Sequence, residues 1–490
     1  MTRLAPATHD PEVKLLPDPT RVIARTYLPS GEVTNPEPRT DRMVRRVLDM
    51  PEAVIEEQLS KVMRDFADRH RDLTAILETN YQRVTDHLGA PVTADHNARL
   101  LIGAYATMEF SIQAAALFNP SIVPAPDQSG AGPDEIRVVM SLRAVGEGHL
   151  SCIEFRTGLV GPGGVVTLEP ASPYATTGEI TNGRYDRAMF RAKLDELGGD
   201  PVLTRQLLHP LDKIFGDHDL DQALANLAAT GPSPAARFTT EKLARSLAAS
   251  NYVVSFDEDL PLSERVIFPR SPNESEGMED ARFVRFEDDD GDMTYYATYT
   301  AFNGVDIFPQ LIQTEDFVSF KIATLNGPGA RNKGMALFPR QVDGCYVALS
   351  RYDQENIDLM YSDNIHYWNE RERLTSPSRA WDLVQMGNCG SPMETEAGWL
   401  VLTHGVGPMR TYSIGAILLH LDDPRRVLGE LDEPLVQADE SERNGYVPNV
   451  VYSCGGMVHD GTLVLPYGFS DSGIGVQQVD LADLLTRLLD

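Results

Sequence analysis

The densest cluster of chemically capable side chains is EGMEDARF, residues 276–283. Gly277 permits a tight backbone, and Glu279, Asp280 and Arg282 follow at once. Adjacent carboxylates beside a guanidinium suit acid–base work, because neighbouring charges push their pKa values apart. Alone, such a tetrad is equally a surface turn closed by an ion pair, so its weight depends on companions. FNPS (118–121) supplies the amide of Asn119 and the hydroxyl of Ser121, groups that bond sugar hydroxyls. Arg143 stands in SLRAVGEGH, Lys333 in NKGMALFPR and Arg351 in LSRYD. GNCGSPMETEAGWLVLTHGVGPMR carries Glu394, His404 and Arg410, SERNGYVPN carries Glu442, and YGFSDSG carries Asp471. His404 lies in an apolar strand and reads equally as a core histidine. No His, Cys and Asp spacing matches a metal site, so no metal is expected. The glycines of GVGPMR and GAGP follow no strand–helix phosphate pattern.

These residues are far apart in sequence, so the fold must gather them. Residues 51–87 show helical spacing through Ile55, Leu59, Val62, Phe66, Leu73, Leu77 and Val84. Thr93 is a candidate N-cap for a second helix running through Leu100, Leu101, Tyr105, Met108 and Ile112. A further helical region spans Tyr185 to Ser250, broken at Gly198-Gly199, Pro210, Gly216 and Pro232-Ser233-Pro234. The rest reads as strand. MTYYATYTA (293–301), CYVALSRYD (345–353), GWLVLTHGV (398–406) and GTLVLPYGF (461–469) recur at spacings of 51, 54 and 63 residues, and a first copy surrounds Arg143. Five β units at this period predict a mainly β chain, a five-bladed β-propeller with an N-terminal helical hairpin and a helical insertion after the first blade. A β-sandwich with regular hairpins is the simpler alternative. The expected organisation is an extended arm over 1–45, a helical segment over 46–117, the first blade over 118–175, the insertion over 176–250 and the remaining blades over 251–490. In a propeller the inner strand ends converge on one axial pocket, which would bring the candidate residues together.

In this order EGMEDARF, NKGMALFPR, GNCGSPMETEAGWLVLTHGV, GYVPNVVYSCG and YGFSDSG resemble the blade motifs of glycoside hydrolase family 130, over roughly 115–175 and 250–490. The family contains inverting β-mannoside phosphorylases and some β-mannosidases on a five-bladed propeller, and the added helices mark a longer, divergent branch. The resemblance implies that Asp280 is the general acid, with Ala281 in place of the family's proline. It implies that Asn119, Ser121, Arg143 and Asp471 hold the mannosyl unit beside Glu279 and Arg282, that Lys333 binds phosphate, and that His404 is the family's strand histidine. Two departures stand out: Gln310 occupies the region of an expected arginine, and Ser350-Arg351 replaces His-Arg. Lys333, Arg351 and Arg410 still offer three cations for an anion. Hydrolysis is the alternative, with Glu394 or Glu442 activating water. A glycan-binding propeller without catalysis is a third reading.

Composition narrows the partners. The 43 Lys and Arg against 72 Asp and Glu give a net charge of −29, which disfavours nucleic acid and anionic membranes. There is no apolar run of about 20 residues and no leader-like N-terminus. The four cysteines, Cys152, Cys345, Cys389 and Cys454, form no CxxC and read as free thiols, so a cytoplasmic location is expected. No cofactor is expected beyond inorganic phosphate as co-substrate. The partners are then a mannoside or manno-oligosaccharide, phosphate and, through the helical segments, a second copy of the chain. Those apolar helical stripes must be buried, and both helical regions are expected to pack beside the propeller and frame the pocket mouth.

Overall fold

The computed structural model describes residues 8–9, 13–29, 38–227 and 233–490. Parts of the expected arm, and Pro232, lie outside these. The chain divides into two compact units, one of Asp18–Ala114 with Ser172–Thr177, the other of Met1–Pro17, Ala115–Ala171 and Gly178–Asp490. Strand accounts for 37% of residues and helix for 26%, so the protein is mainly β.

The smaller unit holds four helices rather than a hairpin: α1 (Arg39–Leu48), α2 (Glu52–Phe66), α3 (Leu73–Leu88) and α4 (His96–Tyr105). The periodic stretch 51–87 breaks at a 3-10 turn, after which Asp72 caps α3 by accepting from Ala75 N at 2.9 Å. Asp95, not Thr93, caps α4, accepting from Ala98 N at 2.8 Å. The second helix stops at Tyr105, short of Ile112. Thr107–Ser111 instead forms a strand paired antiparallel with Val22–Thr26, so part of the expected arm is sheet. Here polar and apolar residues alternate with period two, which the wider helical spacing had masked. Val44, Val47, Ile55, Tyr81, Val84 and Leu101 form this unit's core. Gly103 lets α3 and α4 touch, because a Cβ there would meet Leu77 O at 1.9 Å.

The larger unit contains five antiparallel meanders. Their leading strands are Ala116–Pro124, Gly277–Glu287, Lys333–Leu337, Gln385–Asn388 and Val451–Tyr452. The repeat seen in the sequence is the second strand of each: Ile136–Val145, Met293–Phe302, Tyr346–Arg351, Gly398–Val406 and Thr462–Phe469. Each consecutive pair of meanders shares an apolar core. Phe155 meets Phe283 and Phe317, and Val284 and Leu311 meet Leu337 and Trp368. Phe338 meets Trp399, and Leu400 and Leu402 meet Val451 and Leu465. The segment just after the fifth leading strand also bonds to the first, Cys454 N donating to Pro120 O at 2.8 Å and Ile122 N to Gly455 O at 3.3 Å.

The insertion obeys its breakers. Helix α5 (Arg187–Glu196) ends before Gly198, α6 (Pro201–Leu208) before Pro210, Gly216 starts α7 (Asp217–Asn226), and Ser233 caps α8 (Pro234–Ala249). Phe190, Leu194, Leu207, Phe215 and Leu247 give it a core of its own. Tyr252–Ser255 and Glu179–Asn182, at its two ends, extend the second meander. Among the described residues no helix is long and apolar enough to cross a membrane, and all four cysteines are free thiols.

Gly277 joins the first two meanders. Its φ is +124°, it pairs in parallel with Ser151, and a Cβ there would lie 2.3 Å from Ser151 Oγ and 2.7 Å from Ser151 N. Gly291 also has a positive φ, +85°, but open space around it. Gly291→Ala should therefore cost only the backbone strain, about 1–2 kcal/mol, and Gly277→Ala clearly more. Urea unfolding of the two variants measures the difference; equal losses would show that the Ser151 contact is not limiting.

Candidate active site

Three leading strands carry an irregularity at the residue of interest. Asn119 has φ +50° within a register shift between Phe118 and Ser121, and Asp280 has φ +56° within one between Glu279 and Arg282. In the third, Gly334 (φ +85°) follows Lys333 within a shift between Lys333 and Ala336. Left-handed backbone is tolerated by Asn and Asp better than by other side-chain-bearing residues, and a bulge re-aims the side chain it carries.

The re-aimed groups meet. Asn119 Nδ2 donates to Asp280 Oδ1 at 2.6 Å. Arg143 bridges both carboxylates, Nη1 to Asp280 Oδ1 at 3.3 Å and Nη2 to Glu279 Oε1 at 3.0 Å. Lys333 Nζ donates to the other Glu279 oxygen. The Arg143, Glu279 and Asp280 side chains keep 13–18% of their surface exposed and Lys333 30%, so the cluster faces an opening. Arg282 is buried behind it, donating to Asp280 O at 3.1 Å and to the Tyr452 hydroxyl at 2.8 Å.

The electrostatics separate the carboxylates. Burial opposes ionisation of Asp280, but Arg143, Arg282, Lys333 and the Asn119 amide outweigh it and hold its pKa well below the usual range. Asp471 moves the other way. Burial, with Asp280 adding to it, pushes its pKa up to about 6 against the pull of Arg143 and Arg410. Asp471 and its neighbour Ser470 are both left-handed, at φ +48° and +47°. Arg410, exposed on the hairpin after Gly398–Val406, sits over the Tyr412 ring at 6.0 Å.

Arg351 lies opposite Lys333 in the strand pairing, and its Nη1 donates to His404 Nε2 at 3.0 Å. Burial first, then the charges of Arg351 and Arg282, push the His404 pKa well below its ordinary value, so the ring is neutral. A neutral ring that accepts at Nε2 carries its proton on Nδ1, which faces Cys389 Sγ at 4.0 Å. His404 is thus both core residue and support, its ring tilted against Tyr452 at 4.8 Å between centroids. Gly387 leaves room for this pair: a Cβ there would lie 2.5 Å from His404 Cε1 and 2.9 Å from Arg351 Cδ.

Three candidates lie elsewhere. Ser121 is fully buried and accepts from Phe283 N at 3.2 Å, tying the first leading strand to the second. Glu394 is gripped by Arg340 at two 2.8 Å bonds. The Arg340 backbone bridges to Glu287, at the far end of the strand that begins near Asp280, about 20 Å away at about 3.3 Å per residue. Glu442 is buried, accepts from the Tyr467 hydroxyl at 2.6 Å, and anchors the Asp471 turn through Ser470. Tyr452, Gly387 and Cys389 are the contributors that sequence reading passed over. The first two are an aromatic and a glycine inside the quoted motifs, with nothing in their spacing to mark contact with Arg282 or Arg351. Among the described residues no group of three His, Cys, Asp or Glu could hold a metal ion.

The model of glycoside hydrolase family 130, described as beta-1,4-mannooligosaccharide phosphorylase, matches residues 258–488. The 1,2-beta-oligomannan phosphorylase of Thermoanaerobacter sp. (strain X514) is 30% identical over 308 residues, 60% of this chain and 99% of that protein. The beta-1,2-mannobiose phosphorylase of the same strain is 33% identical over 221 residues, 44% of this chain and 70% of its own. The solved beta-1,2-mannobiose phosphorylase from Listeria innocua, in complex with beta-1,2-mannobiose, overlaps 77% of this chain and 93% of its own at 22% identity and a TM-score of 0.46.

The raised Asp471 pKa makes a stability prediction. The folded protein binds this proton more tightly than the unfolded chain, so the contribution is present below about pH 4 and is lost as pH rises through about 6. Unfolding free energies measured between pH 4 and 7 should fall less with rising pH in Asp471→Asn than in the parent. Parallel curves would contradict the assignment.

Proposed function

Because the chain belongs to glycoside hydrolase family 130 and is an enzyme, a glycoside phosphorylase, we propose that it cleaves β-mannosidic bonds by inverting phosphorolysis on a five-bladed propeller. Support for the propeller is the run of shared cores from meander to meander, together with the bonds from Cys454 and Gly455 back to Pro120 and Ile122. The observation that carries the functional reading is the shared cation set: Lys333 and Arg143 hold Glu279 and Asp280, and Arg351 stands opposite Lys333 on its neutral histidine support.

A phosphate oxygen attacks the anomeric carbon as the bond from that carbon to the leaving oxygen breaks. Asp280, directly or through a sugar hydroxyl, gives that oxygen its proton, and the products are mannose 1-phosphate with inverted configuration and the shortened sugar. Phosphate brings its own negative charge and needs no base; it needs holders, and Lys333, Arg351 and Arg410 are the candidates. In the free protein Asp280 is ionised, the form required of a base in the synthetic direction. Bound phosphate neutralises part of the cationic surroundings and lets the carboxyl take up the proton it donates in phosphorolysis. Asn119 Oδ1, buried without a hydrogen-bond partner, and Asp471 are the groups offered to mannosyl hydroxyls. The hydrolytic alternative has no geometric support, since Glu394 and Glu442 are engaged by Arg340 and Tyr467.

Release of mannose 1-phosphate from β-1,2- and β-1,4-mannobiose, with and without phosphate, tests the reading; cleavage at equal rate without phosphate overturns it. Asp280→Asn should lower kcat by about 10²–10⁴-fold, the usual range for a general acid. Gly387→Ala crowds Arg351 and His404 without touching Asp280, and should raise the KM for phosphate more than the KM for the mannoside. The reverse pattern would place Arg351 on the sugar.

A further inference from the structure

A cleft of about 700 Å³ lies between the insertion, which lines it through Lys193, Glu196, Leu197 and Leu243, and the turns that flank the phosphate candidates in the chain. Its inner edge is formed by Arg331 and Asn332, immediately before Lys333, and by Tyr352, immediately after Arg351. These two turns are locked together. Asn332 is left-handed at φ +62°, donates to Tyr352 O, and accepts from Gln354 Nε2 at 3.3 Å. The outer wall is Leu197 at the end of α5 and Leu243 of α8, and Phe308 closes a third side. The volume is that of a small-ligand cleft.

The lining combines aliphatic and aromatic surface with amide, guanidinium and carboxylate groups. Lys193 is 3% exposed and bonded to Glu196 at 2.9 Å, so its charge is matched within the wall. Arg331 is exposed at the opposite edge. The balance suits an uncharged polyol with hydroxyl edges and C–H faces better than a polyanion. Asn332 and Tyr352 adjoin Lys333 and Arg351 in the chain, so a sugar chain leaving the active site past these two cations would meet the cleft.

We propose that this cleft binds the sugar units of a manno-oligosaccharide beyond the two that flank the cleaved bond, so that the insertion sets chain-length preference. The inference rests on the phosphorolysis reading above and concerns residues outside the reacting network.

The test compares mannobiose with mannotetraose, in β-1,2- and β-1,4-linked forms. Leu197→Trp fills the cleft from the insertion side, and Arg331→Ala is an exposed truncation that leaves folding intact. Both should lower kcat/KM for the tetraose, Leu197→Trp by about tenfold or more, with little change for the disaccharide, an effect of pocket fit of the usual size. Equal losses on both lengths, or no change on either in both variants, would overturn the proposal. If the parent cleaves neither sugar, the phosphorolysis reading fails by itself. Calorimetric titration with the same two sugars then decides the cleft: affinity lost for the tetraose alone sustains it, and unchanged affinity for both refutes it.

Discussion

A regular strand sends consecutive side chains to opposite faces, and Glu279 and Asp280 are consecutive. Both nevertheless bind Arg143, one on each guanidinium nitrogen. The left-handed backbone at Asp280 and the register shift around it make this possible, at a local conformational cost of about 1–2 kcal/mol. Without the bulge one carboxylate would turn into the packing between meanders and the cation set would lose its centre. The bulges at Asn119 and Gly334 serve the same end on neighbouring strands, so the site is a property of three interrupted leading strands. The strand cores on either side hold those interruptions in place.

Charge explains why the cluster can exist in a chain of net charge −29. The surface repels anions at long range, yet Arg143, Lys333, Arg351 and Arg282 are gathered around two carboxylates and a tyrosine. A partly desolvated group of this kind is screened less than surface charge, so it can attract a phosphate locally. The same crowding splits the carboxylates: Asp280 is bonded by Arg143 and Asn119 and stays ionised, whereas at Asp471 burial and the charge of Asp280 outweigh the pull of Arg143 and Arg410, and it keeps its proton to higher pH. Two aspartates in one site thereby acquire different proton affinities.

The sequence made some of this legible because some signals are local. The insertion's helices end where glycine and proline stop them, and the β repeat marks the second strand of every meander. The leading strands are harder to read: those of the fourth and fifth meanders are only 4 and 2 residues long, and the bulges of the first three destroy the alternation that identifies a strand. The site residues lay in recognisable motifs, but motif membership does not say which way a side chain faces. Ser121 shares its motif with Asn119 yet ties two strands together, and Glu394 sits at the opposite end of the strands from Asp280. Thr93 lost the cap of α4 to Asp95 because both are good N-cap types and only the backbone geometry chooses between them.

The division of labour in the larger unit follows from where strain and freedom lie. Asn119, Glu279, Asp280 and Lys333 stand on leading strands that share cores with their neighbours, where a displacement would be felt by the whole stack. One wall of the cleft comes from helices with a separate core, Phe190, Leu207 and Phe215 among its members, which can vary without disturbing Asp280 or Arg143. Loops and insertions around a rigid scaffold are where specificity is most freely altered. An insertion whose two ends extend the second meander, the one that carries Asp280, is anchored close in topology to the chemistry and separate from it in packing. That combination leaves the insertion free to vary while the cluster around Asp280 stays as it is.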